Sequence, residues 1–189
     1  MGRKSLPPGT LLFPTPVVLV TCVDEAGKPN IITLAWVGVV NSNPPMIGIS
    51  VRPDRYSHDC IKRSKEFVVN LPSEEMVRKV DACGVLSGKD TDKFASMGWK
   101  QAPAQEVKAP LIDECPVQLE CKVKQTISLG SHDLFLGEIV AVHLKEEIQN
   151  EKGRIDIAKA LPLVFCPGAN EYWTLGKSIG HYGFTKGRP

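Results

Sequence analysis

Two long β-rich segments constrain the fold of this 189-residue chain more than any other feature. Val117–Leu129 and Leu134–Glu146 are separated only by Gly130-Ser131-His132-Asp133, which predicts a hairpin with arms of about 13 residues. Strands usually have about 5–6 residues, and strands as long as these commonly coil around a barrel. The hairpin therefore favours a curved antiparallel sheet in which one strand serves two sides.

The N-terminal part of the chain predicts three more strands joined by turns, at Pro16–Val23, Asn30–Val40 and Met46–Val51. The first of them is continuously apolar, so we expect it to be buried on both faces. Because the turns between the three segments are short, they are expected to form an antiparallel meander.

The remaining elements combine helices with short strands. They are expected as a helix at Tyr56–Lys65, a strand at Glu66–Leu71, a helix capped by Ser73, a helix at Thr91–Met97 capped by Thr91 or Asp90, a surface loop at Lys100–Pro110 and a strand at Leu163–Phe165. Groups of strands with helices inserted between them predict a mainly β fold, an antiparallel barrel that is closed or half-closed. No GxGxxG follows the first strand, which argues against a Rossmann unit. Residues 1–189 contain no linker and are expected to form one domain.

Composition excludes several classes of function. With 23 basic and 21 acidic residues the net charge is only +2, so no global field attracts nucleic acid. No run approaches the roughly 20 apolar residues of a membrane helix. Pro7, Pro8 and Gly9 interrupt the basic start before any apolar stretch, which argues against a secretory signal and predicts a cytoplasmic protein.

Cysteines and histidines indicate no metal site. None of the six cysteines forms a CxxC pair, and the histidines show no metal-ligand spacing. Buried, reduced thiols are therefore expected. A redox role for Cys83 is kept as an alternative, although no resolving cysteine is adjacent in the sequence.

Four features are candidates for ligand binding. The segment Arg52–His58 combines two arginines and a hydroxyl with a predicted helix N-terminus, which suits a phosphate. Gly84–Asp90 lacks the full phosphate-loop pattern and is either an anion-binding loop or a solvated one. Trp36 is either a core residue or, with Asn30 and Thr33, the flat face and polar edge of an aromatic cofactor site. The fourth candidate is His132, at the tip of the long hairpin.

Three stretches carry a resemblance to a known family: PNIITLAWVGVVNSNPPMIGISVRPDRYSHDCIKRSKEFVVNLP (Pro29–Pro72), CGVLSGKDTDKF (Cys83–Phe94) and LGSHDLFLGEIVAV (Leu129–Val142). In this order, over about Thr15 to Phe165, the chain resembles the flavin-reductase-like FMN-binding split-barrel proteins and, within them, the flavoredoxin-type branch. The resemblance implies an antiparallel, Greek-key-like split β-barrel. It also implies a homodimer that binds FMN non-covalently near the subunit interface.

The resemblance also implies which residues form the site. Asn30 and Trp36 would lie along the isoalloxazine, and Arg55 and Ser57 would hold the phosphate, with Lys93 nearby. The other implied contacts are main-chain groups of Ser50, Val51 and Arg52 and the side chains of His132 and Phe165, the last two in the same subunit or from its partner. No catalytic residue follows from these positions.

Three functions remain open at this point. The first is an oxidoreductase that passes electrons through bound FMN, with NAD(P)H as hydride donor. The second is a flavoredoxin-type electron carrier to a protein partner, and the third is an FMN-binding module without turnover. All three use the same fold, so the fold cannot decide between them.

Overall fold

The computed structural model describes residues 2–186. In chain order the strands are β1 (Thr15–Pro16), β2 (Val18–Val23), β3 (Pro29–Leu34), β4 (Val37–Ser42), β5 (Pro45–Val51), β6 (Glu66–Leu71), β7 (Gln101–Ala102), β8 (Leu111–Ile112), β9 (Val117–Ser128), β10 (Asp133–Leu144), β11 (Leu163–Cys166) and β12 (Glu171–Thr174). The helices are α1 (Tyr56–Ser64), α2 (Val77–Val85), α3 (Lys93–Met97) and α4 (Ile157–Ala160), with 3₁₀ turns at Glu74–Met76 and Glu146–Ile148. None of the helices among these residues is long and apolar enough to cross a membrane.

One seven-stranded antiparallel sheet, in the order β3-β2-β6-β9-β10-β5-β4, dominates the fold. β3 and β4 lie at opposite ends of this order, yet only Ala35 and Trp36 separate them along the chain. The sheet must therefore curl until its two ends approach each other, and β3 does contact β5. The result is the split barrel, so the predicted mainly β, antiparallel fold class is confirmed.

The predicted continuous strand over Asn30–Val40 and the three-stranded meander are wrong. β3 pairs with β2 and β4 pairs with β5, while β3 and β4 do not pair with each other. The residues 29–42 are suited to extended structure throughout, and nothing in that pattern marks the point at which the chain changes its pairing partner. That point is the bend at Ala35 and Trp36.

The predicted long hairpin is confirmed. β9 and β10 have 12 residues each, and their register shifts between Leu136 and Gly137 and again between Ile139 and Ala141. Such bulges bend a strand and increase its twist. The bending lets β9 pair with β6 and lets β10 pair with β5 on the other side of the curl.

β2 is buried on both faces, as predicted, because it separates two apolar layers. Val18 and Val20 belong to the barrel interior, together with Phe67 and Phe135. Leu19 points to the second layer, in which α2 and α3 cover the outside of the barrel. Complete burial of such a side chain contributes about 1.5–3 kcal/mol, so this strand anchors α2 and α3 to the barrel.

Several local expectations need correction. Asp92, and not Thr91 or Asp90, caps α3, since its carboxylate accepts the N–H of Ala95. Ser73 precedes a 3₁₀ turn and makes no side-chain capping bond. The strand β12 was missed because Glu171–Thr174 lacks an alternating pattern, and its exposure is explained by its place at the edge of a three-stranded sheet.

The segment Lys100–Pro110, predicted as a surface loop, is anchored by a buried carboxylate. Glu120 is fully buried and accepts the N–H groups of Gln105, Glu106 and Val107 at 2.7–3.1 Å. The ring of His143 contacts the same carboxylate at 2.6 Å. Burial alone would raise the pKa of Glu120, but these hydrogen bonds outweigh it and hold that pKa below its ordinary value.

Candidate functional site

Two hollows lie side by side where β3, α1 and α2 meet. The first, here called the anion pocket, has a volume of about 130 Å³ and lies at the N-terminus of α1. Its polar lining includes Asn30, Arg55, Ser57, Ser87 and Lys93. Asp54 also lines it, and its carboxylate pairs with Arg52 at 3.3 Å. A helix N-terminus presents free N–H groups and a partial positive charge, which favours an anion.

Lys93 is the main source of charge in the anion pocket. It is only 4% exposed, and its Nζ donates to the carbonyl oxygens of Ile31 and Cys83, both at 2.7 Å. No carboxylate pairs with Lys93 among residues 2–186. Burial and the neighbouring Arg55 hold the pKa of Lys93 below its ordinary value. An ammonium has three donors, so one N–H remains for an anionic ligand that would also balance the buried charge.

The wall opposite Lys93 is formed by a side-chain hydrogen bond and a close glycine. Asn30 Nδ2 donates to Ser57 Oγ at 2.7 Å, which joins β3 to the first turn of α1. Gly88 approaches this pair so closely that an added Cβ would overlap Asn30 Oδ1 and lie 2.8 Å from the Tyr56 ring. Only glycine fits at position 88 without displacing the pocket wall.

The second hollow, here called the aromatic pocket, has a volume of about 220 Å³. Its floor is apolar, from Ile32, Leu34 and Ala35, and its rim carries aromatic and polar groups. The residues of the rim are Thr33, Trp36, Ser50, Arg52, Arg55, His132 and Phe165. Ile32, Arg55 and Gly84 line both pockets, so the two adjoin, and they are together called the cleft.

The bend between β3 and β4 presents Trp36 to the cleft. The carbonyl oxygen of Trp36 accepts the N–H of Ser50 at 2.9 Å, which fixes the bend against β5. Thr33 lies three residues before Trp36, in β3, and its hydroxyl donates to the carbonyl oxygen of Val80 in α2. A ligand in the aromatic pocket can therefore use only the lone pairs of the Thr33 hydroxyl.

His132 enters the aromatic pocket from the hairpin tip. Its Nδ1 lies 2.9 Å from the hydroxyl oxygen of Ser131, and partial burial and the nearby Arg52 hold its pKa below the ordinary value. His132 and Phe165 line this pocket within their own chain, and a further contribution of the same residues from a partner subunit stays a prediction.

The structure brings ten of the eleven residues expected at the cofactor into this cleft: Asn30, Thr33, Trp36, Ser50, Arg52, Arg55, Ser57, Lys93, His132 and Phe165. Asn30 lies in the anion pocket and not along the aromatic one. Val51 is completely buried in the barrel interior and pairs with Asp133, so a contact to a ligand through its main chain stays a prediction.

Sequence reasoning included Gly84, Gly88 and Tyr56 only within the candidate segments Gly84–Asp90 and Arg52–His58, and it assigned none of the three an individual role. The glycines had a usable signal, since two of them stand in a short segment that already suggested an anion. The burial of Cys83 raises its pKa to about 11, which disfavours the thiolate that redox chemistry requires. Its carbonyl, and not its sulfur, contributes to the site.

A larger groove of about 810 Å³ lies elsewhere, between the 3₁₀ turn at Glu74–Met76 and β12. Glu74, Glu75 and Glu171 line it, with the aromatic rings of Tyr172 and Trp173. Among residues 2–186, no cation lines this groove to offset the three carboxylates, whereas in the anion pocket Arg55 and Lys93 outnumber the one carboxylate, Asp54. The smaller cleft is therefore the better candidate for an anionic aromatic ligand.

Comparison with known proteins agrees with the geometry of this cleft. A family model described as "Flavin reductase like domain" matches residues 10–174. The chain belongs to the flavin reductase-like family. This membership makes the protein a member of an oxidoreductase family.

Two solved structures are similar over nearly the whole chain. Flavoredoxin of Desulfovibrio vulgaris (Miyazaki F) is 36% identical, with a TM-score of 0.92 over 99% of this chain and 100% of that one. Flavoredoxin from Methanosarcina acetivorans is 34% identical, with a TM-score of 0.90 over 98% of each chain. An uncharacterized protein of Archaeoglobus fulgidus is 36% identical over 131 residues, which are 69% of this chain and 73% of that protein.

Proposed function

We propose that this protein binds FMN in the cleft and transfers electrons through it as an oxidoreductase. The observation that carries the proposal is that two adjoining pockets, one cationic and one apolar with aromatic groups, share Ile32, Arg55 and Gly84 in their lining. FMN has a phosphate at one end and a flat tricyclic ring at the other, so its chemistry matches both ends of the cleft.

The donor set fits the phosphate of FMN. Lys93 would contribute its third N–H and its charge, and Arg55 and the Ser57 hydroxyl would complete the contacts. FAD and riboflavin are less suitable, because FAD adds a nucleotide beyond the phosphate and riboflavin would leave the buried ammonium of Lys93 without a counter-ion. FMN is therefore the proposed cofactor.

The residues of the aromatic pocket would hold and orient the ring. Trp36 and Phe165 would contact it through their aromatic surfaces, while His132 and Arg52 would face its polar edge. When bound, FMN supplies the ability to accept a hydride or electrons and to pass them on. Positive charge and N–H donors near the ring favour its reduced, more negative form.

The first candidate for the electron donor is NAD(P)H, which would have to stack directly on the ring, since no dinucleotide-binding motif follows the first strand. The second candidate is a protein partner, as in a flavoredoxin-type carrier. The similarity to two flavoredoxins over 99% and 98% of this chain favours this second function.

An absorbance spectrum of the purified protein, followed by anaerobic addition of NADH and NADPH, tests the proposal. Flavin bands that bleach rapidly with either nucleotide support the reductase. Bands that bleach only with dithionite or with a reduced protein donor support the carrier. A colourless protein that also fails to bind added FMN refutes FMN binding itself.

A homodimer is part of the same proposal. β4 ends the sheet order, and its Val39 and Val40 are 72% and 54% exposed. An exposed apolar edge strand is a ready surface for pairing with another chain, and a second copy is the proposed occupant. Light scattering after gel filtration should give twice the mass of 20.7 kDa, and Val39→Lys should shift the mass toward that of the monomer.

A further inference from the structure

A buried histidine–aspartate pair lies directly behind the cleft. His58 Nε2 and Asp133 Oδ2 are 2.9 Å apart, and the two side chains are only 4% and 11% exposed. Neither residue lines the anion pocket or the aromatic pocket. Each one, however, directly follows a residue that does: His58 follows Ser57, and Asp133 follows His132.

Apart from their mutual hydrogen bond, His58 and Asp133 have few polar partners. The ring of His58 meets Phe135 edge-on, with ring centroids 5.4 Å apart. Its Nδ1 is buried without a hydrogen-bond partner and lies 3.5 Å from Asp59 Oδ1. Asp133 accepts a hydrogen bond from His58, and the neighbouring His58 and Ser128 side chains hold the pKa of Asp133 below its ordinary value. Asp133 is therefore the one strong partner that orients the His58 ring.

Stability alone is a weak reason for this pair. A buried charged or polar pair is often no more stabilising than two apolar side chains of the same size, because both groups lose their hydration. A hydrogen bond, unlike an apolar contact, fixes the direction in which its two side chains meet. The hydrogen bond sets the position of the first turn of α1 relative to the hairpin tip, which are otherwise separate parts of the chain.

We propose that His58 and Asp133 are positioning residues for the cofactor, because their hydrogen bond fixes the separation between the anion pocket and the aromatic pocket. This inference rests on the proposed binding of FMN. A ligand that fills both pockets gains from a fixed separation, since the cleft does not have to be ordered during binding. A ligand that fills only the aromatic pocket gains little.

FMN and riboflavin provide the test, because they differ only in the phosphate. Affinities of both flavins are measured by fluorescence titration for wild type, Asp133→Ala, Asp133→Asn and His58→Leu. The matched control is Lys124→Gln, which breaks an exposed ion pair with Glu138 at 2.7 Å on the same hairpin. The readout is the ratio of the two dissociation constants, which loss of folded protein does not change.

Asp133→Ala and His58→Leu should reduce the preference for FMN over riboflavin about 10-fold, the typical effect of one hydrogen bond to a charged group. Asp133→Asn should retain most of the preference, because an amide oxygen still accepts from His58 Nε2. Lys124→Gln should keep the wild-type ratio. The visible circular dichroism of bound riboflavin should change in Asp133→Ala only if the ring environment at His132 has moved.

The two ways of failing are distinct. If wild type binds FMN and both bond-breaking variants keep its ratio and its flavin spectrum, the pair is only structural and the inference is wrong. If wild type binds neither flavin, the proposed function fails and the inference fails with it. Since the bond is broken once from α1 and once from β10, the result does not depend on one variant folding.

Discussion

The buried ammonium of Lys93 offers the most direct test of the cleft. Replacing it by Met keeps the length and apolar character of the side chain but removes the charge and all three donors. In the free protein the carbonyl oxygens of Ile31 and Cys83 lose the N–H groups they accept at 2.7 Å. In the complex the phosphate of FMN loses its most deeply buried cation.

The size of the effect follows from these contacts. A hydrogen bond to a charged group contributes about 1.5–3 kcal/mol, which corresponds to a loss of about 10- to 150-fold in FMN affinity. Riboflavin has no phosphate, so its affinity should change by no more than about 3-fold. Leaving two buried carbonyl groups without donors should lower the free energy of unfolding by roughly 1–3 kcal/mol per group.

Isothermal titration calorimetry with FMN and riboflavin measures both affinities, after a thermal melt has shown that the variant is folded. Lys62→Met is the matched control, since it removes the same charge from an exposed position on α1. It should leave both affinities close to those of wild type. An equal loss for FMN and riboflavin in Lys93→Met would show that Lys93 supports the fold of the cleft and does not bind phosphate.

Three further predictions follow from particular contacts. Gly88→Ala should weaken FMN binding at least 10-fold while riboflavin binding changes little, measured in the same titration, because the new methyl group displaces Asn30 from the wall of the anion pocket. Burial lowers the pKa of Lys93, so Lys93 should lose its proton at a pH below the ordinary lysine pKa of about 10.4. FMN affinity should therefore fall as the pH rises through that lowered pKa, and Lys93→Met should abolish this pH dependence. Glu120→Gln should lower the free energy of unfolding by about 2–4 kcal/mol at pH 7, since its carboxylate accepts three buried N–H groups. Because folding lowers the pKa of Glu120, the stability that its carboxylate contributes is complete above the unfolded pKa of about 4.3. This contribution should vanish as the pH falls through the pKa of the folded state. In urea unfolding, the difference in free energy between wild type and variant should therefore be smaller at pH 3 than at pH 7.

Local pattern was sufficient for much of the fold. The long hairpin, α1 and β6 follow from runs of apolar residues bounded by turn residues, and their observed bounds differ from the predicted ones by a residue or two. β2 was recognised as buried on both faces because its apolar run has no alternation. These features are determined by residues close together in the sequence, so they can be predicted from local pattern.

Pairing between distant strands was not visible in the same way. The bend at Ala35 and Trp36 separates β3 and β4, whose partners β2 and β5 are each the second strand from opposite ends of the sheet. Residues on either side of the bend are equally suited to extended structure, so only the closure of the barrel determines where it falls. The hydrogen bonds from Gln105–Val107 to Glu120 were also not predictable, since a single Glu in a strand pattern gives no sign that it is buried.

The site was predicted better than the bend, for a related reason. Arg55 and Ser57 stand together at a helix start, and Lys93 at another, so their chemistry is readable locally even though their meeting is not. The sequence does not show which of these residues meet in space, as Asn30 and Ser57 do through a hydrogen bond between positions 27 residues apart. The His58–Asp133 pair, 75 residues apart, was missed for the same reason.

The place of the cleft follows from the way in which the barrel closes. At the bend the chain leaves one end of the sheet and joins the other, so its backbone is not committed to a continuous ladder there. The hydrogen bond from Ser50 N–H to the carbonyl oxygen of Trp36 fixes the crossing. A ligand at such a junction can reach main-chain N–H and C=O groups that no ladder uses, whereas the paired strands of the barrel wall use theirs within the sheet. Substitutions that move the bend should therefore change flavin binding before they change the stability of the barrel.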